Sequence, residues 1–180
     1  MQVSNCALKK EIKIVNTVST ADLKQKVRID SFNGYEHLNS DLSRYHCGYV
    51  KDEKMIGKVT IFASGKMISV GSKSPEQSFM ELTTAMKILV KHGLIKKCKL
   101  DPQIRNIVGN VDLNKTLNIE KLARALPKTM YEPEQFPGII LRMHGSIVAL
   151  IFASGKCTIV GSKSIEELNS VHFELLSHLQ

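Results

Sequence analysis

The chain has 180 residues, 43% of them apolar and 6% aromatic, and a formal net charge of +8. That length buries a core as one domain or as two small fused units, and no apolar run approaches the roughly 18 residues of a membrane-spanning helix. Both halves are basic, with 14 cationic against 9 acidic side chains through Ile95 and 11 against 8 beyond it, which favours a polyanionic partner, nucleic acid above membrane.

Residues 1–11 form a tail whose start, MQVSNCALKK, has no apolar h-region, so a soluble, unexported chain is expected. Cys6, Cys47, Cys98 and Cys157 lie far apart without a C-x-x-C pair, which argues against a metal site and for reduced, intracellular thiols. Lys13 to Ala21 alternates and is rich in β-branched residues, predicting a strand with Asn16, Val18 and Thr20 on one face. Ser31 to Leu42, rich in Asn, Ser and Gly, predicts a loop. Ser74-Pro75-Glu76-Gln77 writes a helix start, with a hydroxyl at the N-cap, Pro at the first helical position and Gln where a capping box wants it. The apolar stripe of that helix is Phe79, Leu82, Met86, Leu89 and Val90.

After a linker at 96–102, Arg105 to Leu113 predicts a strand with Asn106, Val108 and Asn110 on one face. Ile119 to Leu126 has helical spacing and stops before Pro127. Gly138 to Met143 and Ile147 to Phe152 are apolar runs joined at Gly145, and Ser154-Gly155 turns into a further strand through Val160. Ser164-Ile165-Glu166-Glu167 opens a last helix striped by Leu168, Val171, Leu175, Leu176 and Leu179.

The second half restates the first. IFASGKMISVGSKS from Ile61 faces IFASGKCTIVGSKS from Ile151 with three differences, and NTVSTADL from Asn16 faces NIVGNVDL from Asn106 at the same offset of ninety. Two repeats follow, at 12–95 and 103–180. A sheet with helices on one face leaves the other uncovered. Val18, Ile68, Val70, Val108 and Val160 are expected there as a broad apolar binding surface.

YEPEQFPGIILRM, Tyr131 to Met143, preceded by NIVGNVDL and followed by IFASGK and VGSKS, closely resembles the second repeat of the TATA-box-binding protein family, general transcription initiation factors of archaea and eukaryotes. The first repeat shares its beginning and end with the family, so the resemblance runs from about Ile12 onward and is similar to archaeal members. It implies an α+β fold, a pseudo-twofold saddle of two β-α-β(4)-α repeats with a curved ten-stranded antiparallel sheet and four helices on its convex face. The family is itself a standard example of minor-groove wedging. By this resemblance Phe62, Phe136 and Phe152 insert between base steps, with Tyr45 at the fourth such place. Asn16, Val18, Ile68, Val70, Asn106, Val108 and Val160 face base edges. Arg44, Lys51, Lys66, Lys73, Arg142, Lys156 and Lys163 meet phosphates, and Glu132, Glu134 and Gln135 dock transcription factor B.

The implied partners are A·T-rich double-stranded promoter DNA, transcription factor B and, through it, RNA polymerase, with no membrane, cofactor or metal. A homodimer covering the apolar face in the absence of DNA stays an open alternative. The implied location is the nucleoid region of the cytoplasm for an archaeal member and the nucleus for a eukaryotic one. The residue types suit these roles. A flat apolar ring replaces base stacking without stranding a polar atom. Asn amides donate to the acceptors that A·T and T·A pairs share in the minor groove, and lysines position the protein on the backbone without reading sequence.

Two departures stand out. Where a first FPG is expected the chain reads SRYHCGYVKDEKMIGKV, with Tyr45 in place of Phe and neither Pro nor an acidic approach. Val70 and Val160 stand where the family usually has Thr, losing a hydrogen bond worth about 0.5–1.5 kcal/mol. The leading expectation is a general factor that binds and bends promoter DNA and recruits transcription factor B. Its alternative is a divergent paralogue that regulates through transcription factor B with a weak grip on DNA. An enzyme finds no support: SGK lacks phosphate-loop spacing, there is no G-x-S-x-G, and the six His fall in no ligand or dyad spacing.

Overall fold

A computed structural model describes residues 10–179; Cys6 and most of the expected tail lie outside the described residues. β1 (Lys13–Asp22) leads through a short 3-10 helix (Ile29–Gly34) into β2 (Leu38–Asp41), β3 (Cys47–Val50), β4 (Lys58–Phe62), β5 (Lys66–Ser72) and α1 (Pro75–Lys91). The order repeats with β6 (Gln103–Asp112), α2 (Ile119–Ala125), β7 (Thr129–Met130), β8 (Gly138–Arg142), β9 (Val148–Phe152), β10 (Lys156–Ser162) and α3 (Ile165–His178). The strands bond in the order β2-β3-β4-β5-β1-β6-β10-β9-β8-β7, giving the ten strands and four helices that the resemblance implies.

Two compact units emerge. Among the described residues the first is Ile14–Val108 with Ser162–Ser164, and the second is Gly109–Gly161 with residues 165–179 and 10–13. The expected boundary at 96–102 falls inside the first unit. Gln25 holds the linker there, donating through Nε2 to the Lys96 carbonyl at 2.7 Å and accepting from the Lys96 N–H at 2.9 Å.

In the first unit one face of the strands is buried. Ala21, Val59, Ile61 and Met67 pack in one core with Leu82, Ala85, Met86 and Leu89 of α1. Ser74 caps α1 as expected, its Oγ accepting from the Gln77 N–H at 3.1 Å, while the Gln77 amide reaches the N–H of Lys73, one residue before the cap. Ser31 to Leu42 is not the plain loop its composition predicts. Phe32, fully buried, anchors the 3-10 helix on β3, where a Cβ on Gly48 would lie 2.3 Å from the ring. One large apolar side chain over a glycine decides the local structure against the surrounding Asn, Ser and Gly.

The same layer contains a buried polar ladder. Ser19 and Ser78 share a short hydroxyl hydrogen bond. Glu81, only 3% exposed, accepts from the Gly57 N–H at 2.8 Å, the Ser69 hydroxyl at 3.0 Å and the Ser72 hydroxyl at 2.7 Å. Ninety residues on stand Gly109, Leu168, Val171, Ile147, Ile159 and Ser162. There Leu168, Val171, Ile147 and Ile159 are buried hydrocarbon, and the Ile147 N–H is taken by the His144 carbonyl at 3.2 Å.

The repeated hexapeptide has a backbone cause. Gly65 and Gly155 adopt φ of +93° and +81°, and a Cβ at either would lie 2.1 or 2.0 Å from the carbonyl oxygen of Gln25 or Lys115. Each turn is then bolted to the loop after β1 or β6. The Gly65 and Ala63 carbonyls accept from Leu23 and Val27, and the Gly155 and Ala153 carbonyls accept from Leu113 and Leu117, all at 2.8–3.0 Å. Only glycine meets both the left-handed φ and the close approach.

Candidate nucleic-acid interface

The face of each half-sheet turned away from the helices is half-exposed. In the first unit it carries Asn16, Val18, Thr20, Ile68, Val70, Asn106 and Val108, and in the second Ile140, Val148, Leu150, Thr158 and Val160. Val70 is the most open of the expected base-contacting residues at 37%. Strand alternation produces this face directly, because the intervening residues are the buried ones.

Asn16 is oriented by a β-bulge. The register of β1 on β5 slips between Thr17 and Val18, and the freed Gly71 N–H donates to Asn16 Oδ1 at 2.9 Å. With its oxygen engaged, the amide keeps its NH2 as a donor, the polarity that minor-groove acceptors require.

The aromatic ends differ between units. In the second unit Phe136 and Phe152 form a tilted pair with ring centroids 5.6 Å apart. Gly138 lies beneath them; a Cβ there would sit 3.0 Å from Phe136 and 3.1 Å from Phe152. Glu132 to Gln135 are exposed, and the Glu132 carbonyl accepts from the N–H groups of Gln135 and Phe136 at 2.9 Å, closing the turn. In the first unit the pairing is Cys47 with Phe62, against Gly138 with Phe152 in the second. The local offset is therefore 91 rather than ninety, and Tyr45 is the counterpart of Phe136. Cys47, 2% exposed, stands where the second unit has Gly138, and Tyr45 is 67% exposed. Among the described residues no ring contact joins Tyr45 to Phe62. The Asp41 carboxylate holds this turn by accepting from the Ser43 hydroxyl and the Arg44 N–H at 2.9 and 3.0 Å. The Arg44 N–H, with the Ser43 hydroxyl second, keeps its pKa below the usual carboxylate value.

Arg44, Lys66, Lys73, Arg142, Lys156 and Lys163 are exposed. Lys51 is exposed as well, but its Nζ donates to the carbonyls of Met55, Ile56 and Gly57 at 2.6, 2.8 and 2.7 Å, so all three of its donors serve its own loop. Sequence reasoning missed Lys58, whose Nζ lies 4.8 Å from the centroid of the Tyr49 ring. It also missed Lys24, Lys99 and Arg105, which line an open cleft of about 510 Å³ with Phe62, Ile68 and Lys66. Arg105 donates to the Thr20 hydroxyl there at 2.9 Å. The Cys47 thiol and burial push the Tyr49 phenol up to about 12, so it remains a neutral hydroxyl. Among the described residues no cluster of His, Cys, Asp and Glu suits a metal ion, and no helix is long and apolar enough to cross a membrane.

Residues 11–92 and 101–180 match the family described as transcription factor TFIID, or TATA-binding protein. A TATA-box-binding protein of Cenarchaeum symbiosum (strain A) is 42% identical over 169 residues, 93% of each chain. The chain belongs to the TATA-binding protein family. A second such relative, from Methanothermobacter thermautotrophicus, is 33% identical over 161 residues, 87% of this chain and 88% of its own. Methanococcus jannaschii TBP, a solved structure, is 29% identical with a TM-score of 0.82 over 93% of this chain and 97% of that one. TATA-binding proteins are DNA-binding transcription factors, not enzymes.

Proposed function

We propose that this member of the TATA-binding protein family seats the helix-free faces of its two units in the minor groove of A·T-rich promoter DNA. In this reading Phe62, Phe136, Phe152 and Tyr45 wedge open base steps and bend the duplex, and Glu132, Glu134 and Gln135 present the complex to transcription factor B, which brings RNA polymerase. The observation that carries it is the pairing, in both units, of a half-exposed Val- and Ile-rich face with a Phe at its strand end and an exposed Lys four residues later (Phe62 with Lys66, Phe152 with Lys156). An apolar floor flanked by cations suits a groove walled by phosphates. The Asn16 amide adds a donor for A·T pairs.

The test is energy transfer across an end-labelled A·T-rich duplex against a G·C-rich one at two salt concentrations. Selective shortening of the A·T duplex is expected; weak, unselective binding without bending overturns the reading. Such an outcome would favour a regulator acting through Glu132 and Glu134, a reading supported by the unpaired Tyr45 and by Cys47 standing where the second unit has Gly138. Reconstituted promoter-directed transcription separates the two, since support for initiation removes the regulator.

A further inference from the structure

The resemblance gives the first unit a phosphate-binding cation at Lys51, the register counterpart of Arg142 in the second. The pairing of β3 with β4, Val50 with Val59, against Leu141 with Ala149 in β8 and β9, aligns the two strands one residue apart from the offset of ninety. In the second unit Arg142 is exposed. In the first, the stretch between Lys51 and Lys58 is one residue longer than that between Arg142 and Val148, and its carbonyls at Met55, Ile56 and Gly57 curl around the Lys51 ammonium at 2.6–2.8 Å. An ammonium has three N–H donors and no more. Lys51 therefore has none left for a phosphate unless the loop opens.

One strand inward the situation is inverted. Lys58 opens β4, is exposed, and lies opposite Val70 of β5 on the helix-free face. Its place in the second unit is taken by the half-buried, uncharged Val148, opposite Val160. The Tyr49 ring holds the Lys58 ammonium by its face at 4.8 Å, and that ring is in turn the counterpart of aliphatic Ile140. A cation resting on an aromatic face keeps its donors available to an anion while its rotamer freedom is reduced.

We infer that Lys58, positioned by Tyr49, is the phosphate-contacting cation of this part of the first unit and replaces Lys51 in that role. The inference rests on the minor-groove reading above. It makes the two units grip the backbone differently, through an arginine on β8 in one and a lysine on β4 in the other.

The experiment is the salt dependence of binding to an A·T-rich duplex. Removing one cation that neutralises a phosphate lowers the slope of log K against log salt by about 0.9. Lys58→Gln and Arg142→Gln are each expected to lower it by about that amount, and Lys51→Met to leave it unchanged. An unchanged slope in Lys58→Gln overturns the inference, as does a lowered slope in Lys51→Met protein shown to be folded by circular dichroism. Because Lys58 is exposed, its variant folds, and acetylation footprinting of the unaltered protein gives a second readout: DNA is expected to protect Lys58, and protection of Lys51 alone overturns the assignment. A wild-type slope near zero would instead sink the minor-groove reading itself, and that outcome is distinguishable from either variant's behaviour.

Discussion

Beneath its open face the first unit is polar where the second is hydrocarbon. Glu81, Ser69 and Ser72 form one buried hydrogen-bonded network and Ser19 and Ser78 a separate buried pair, and Val171, Ile159 and Leu168 fill the corresponding positions in the second unit. The difference begins in a loop. With five residues between Arg142 and Val148 the turn is short enough for the Ile147 N–H to find the His144 carbonyl. With one residue more, the Gly57 N–H points inward, and a Cβ at Gly57 would lie 2.4 Å from the Val70 carbonyl. A buried N–H needs an acceptor, and Glu81 supplies it. The carboxylate then needs further donors, which the two serines provide. A single insertion has thus drawn a polar network into a core that an identical architecture builds from hydrocarbon.

The largest effect should come from forcing the first unit's chemistry on the second. Val171→Glu buries a carboxylate where Ile147 and Ile159 stand in place of the donors Gly57 and Ser69, and is expected to cost about 3–5 kcal/mol, read as loss of the cooperative thermal transition or a large fall in its midpoint. The converse, Glu81→Val, strands the Gly57 N–H and two hydroxyls. Some of these hydroxyls re-pair, since Ser69 and Ser72 lie 3.3 Å apart, so about 3 kcal/mol is expected in denaturant unfolding. Equal tolerance of the two substitutions would break the comparison.

A smaller, pH-dependent effect belongs to His172, 4% exposed, where the first unit has Leu82. Burial holds its pKa below the usual histidine value, and its Nε2 has no partner among the described residues. The neutral form is therefore native, and the unfolded chain binds the extra proton. Stability is full above the unfolded value of about 6.5 and falls as pH drops from there toward the lowered native value. His172→Leu should flatten the melting temperature across that window; an unchanged slope would show that other groups carry it.

The smallest effect concerns the aromatic ends. Cys47→Gly with Tyr45→Phe gives the first unit the residues of the second. An aromatic pair is worth about 0.5–1.5 kcal/mol, so a gain of a few-fold in affinity for A·T-rich DNA is expected by titration. No gain would mean that Tyr45 already serves as well as Phe.

Much of this was legible in the chain. Alternation in Lys13 to Ala21 placed Asn16 and Val18 on the open face, Ser74 wrote its own cap, and most of each helix stripe is core, with Phe79, Val90 and Leu176 half-buried. What escaped had no local signature. Glu81 sits beside Leu82 in a stretch that reads as solvated helix surface, and only the distant Gly57 makes burial tolerable. The offset of 91 is invisible because SRYHCGYVKDEKMIGKV shares almost nothing with its counterpart, so no residue pins the register. Lys51 looks like any surface cation until its loop closes on it.

The two SGK turns have a consequence for how this chain's past would be traced. Their glycines answer to a carbonyl oxygen two ångströms from where a methyl would be, not to any ligand. Drift would erase Tyr45 or Lys58 long before it touched Gly65 or Gly155. A descendant that had abandoned DNA altogether would still keep both glycines in their turns, so the paired turns record ancestry by duplication, and the state of the aromatic ends records what the protein still holds.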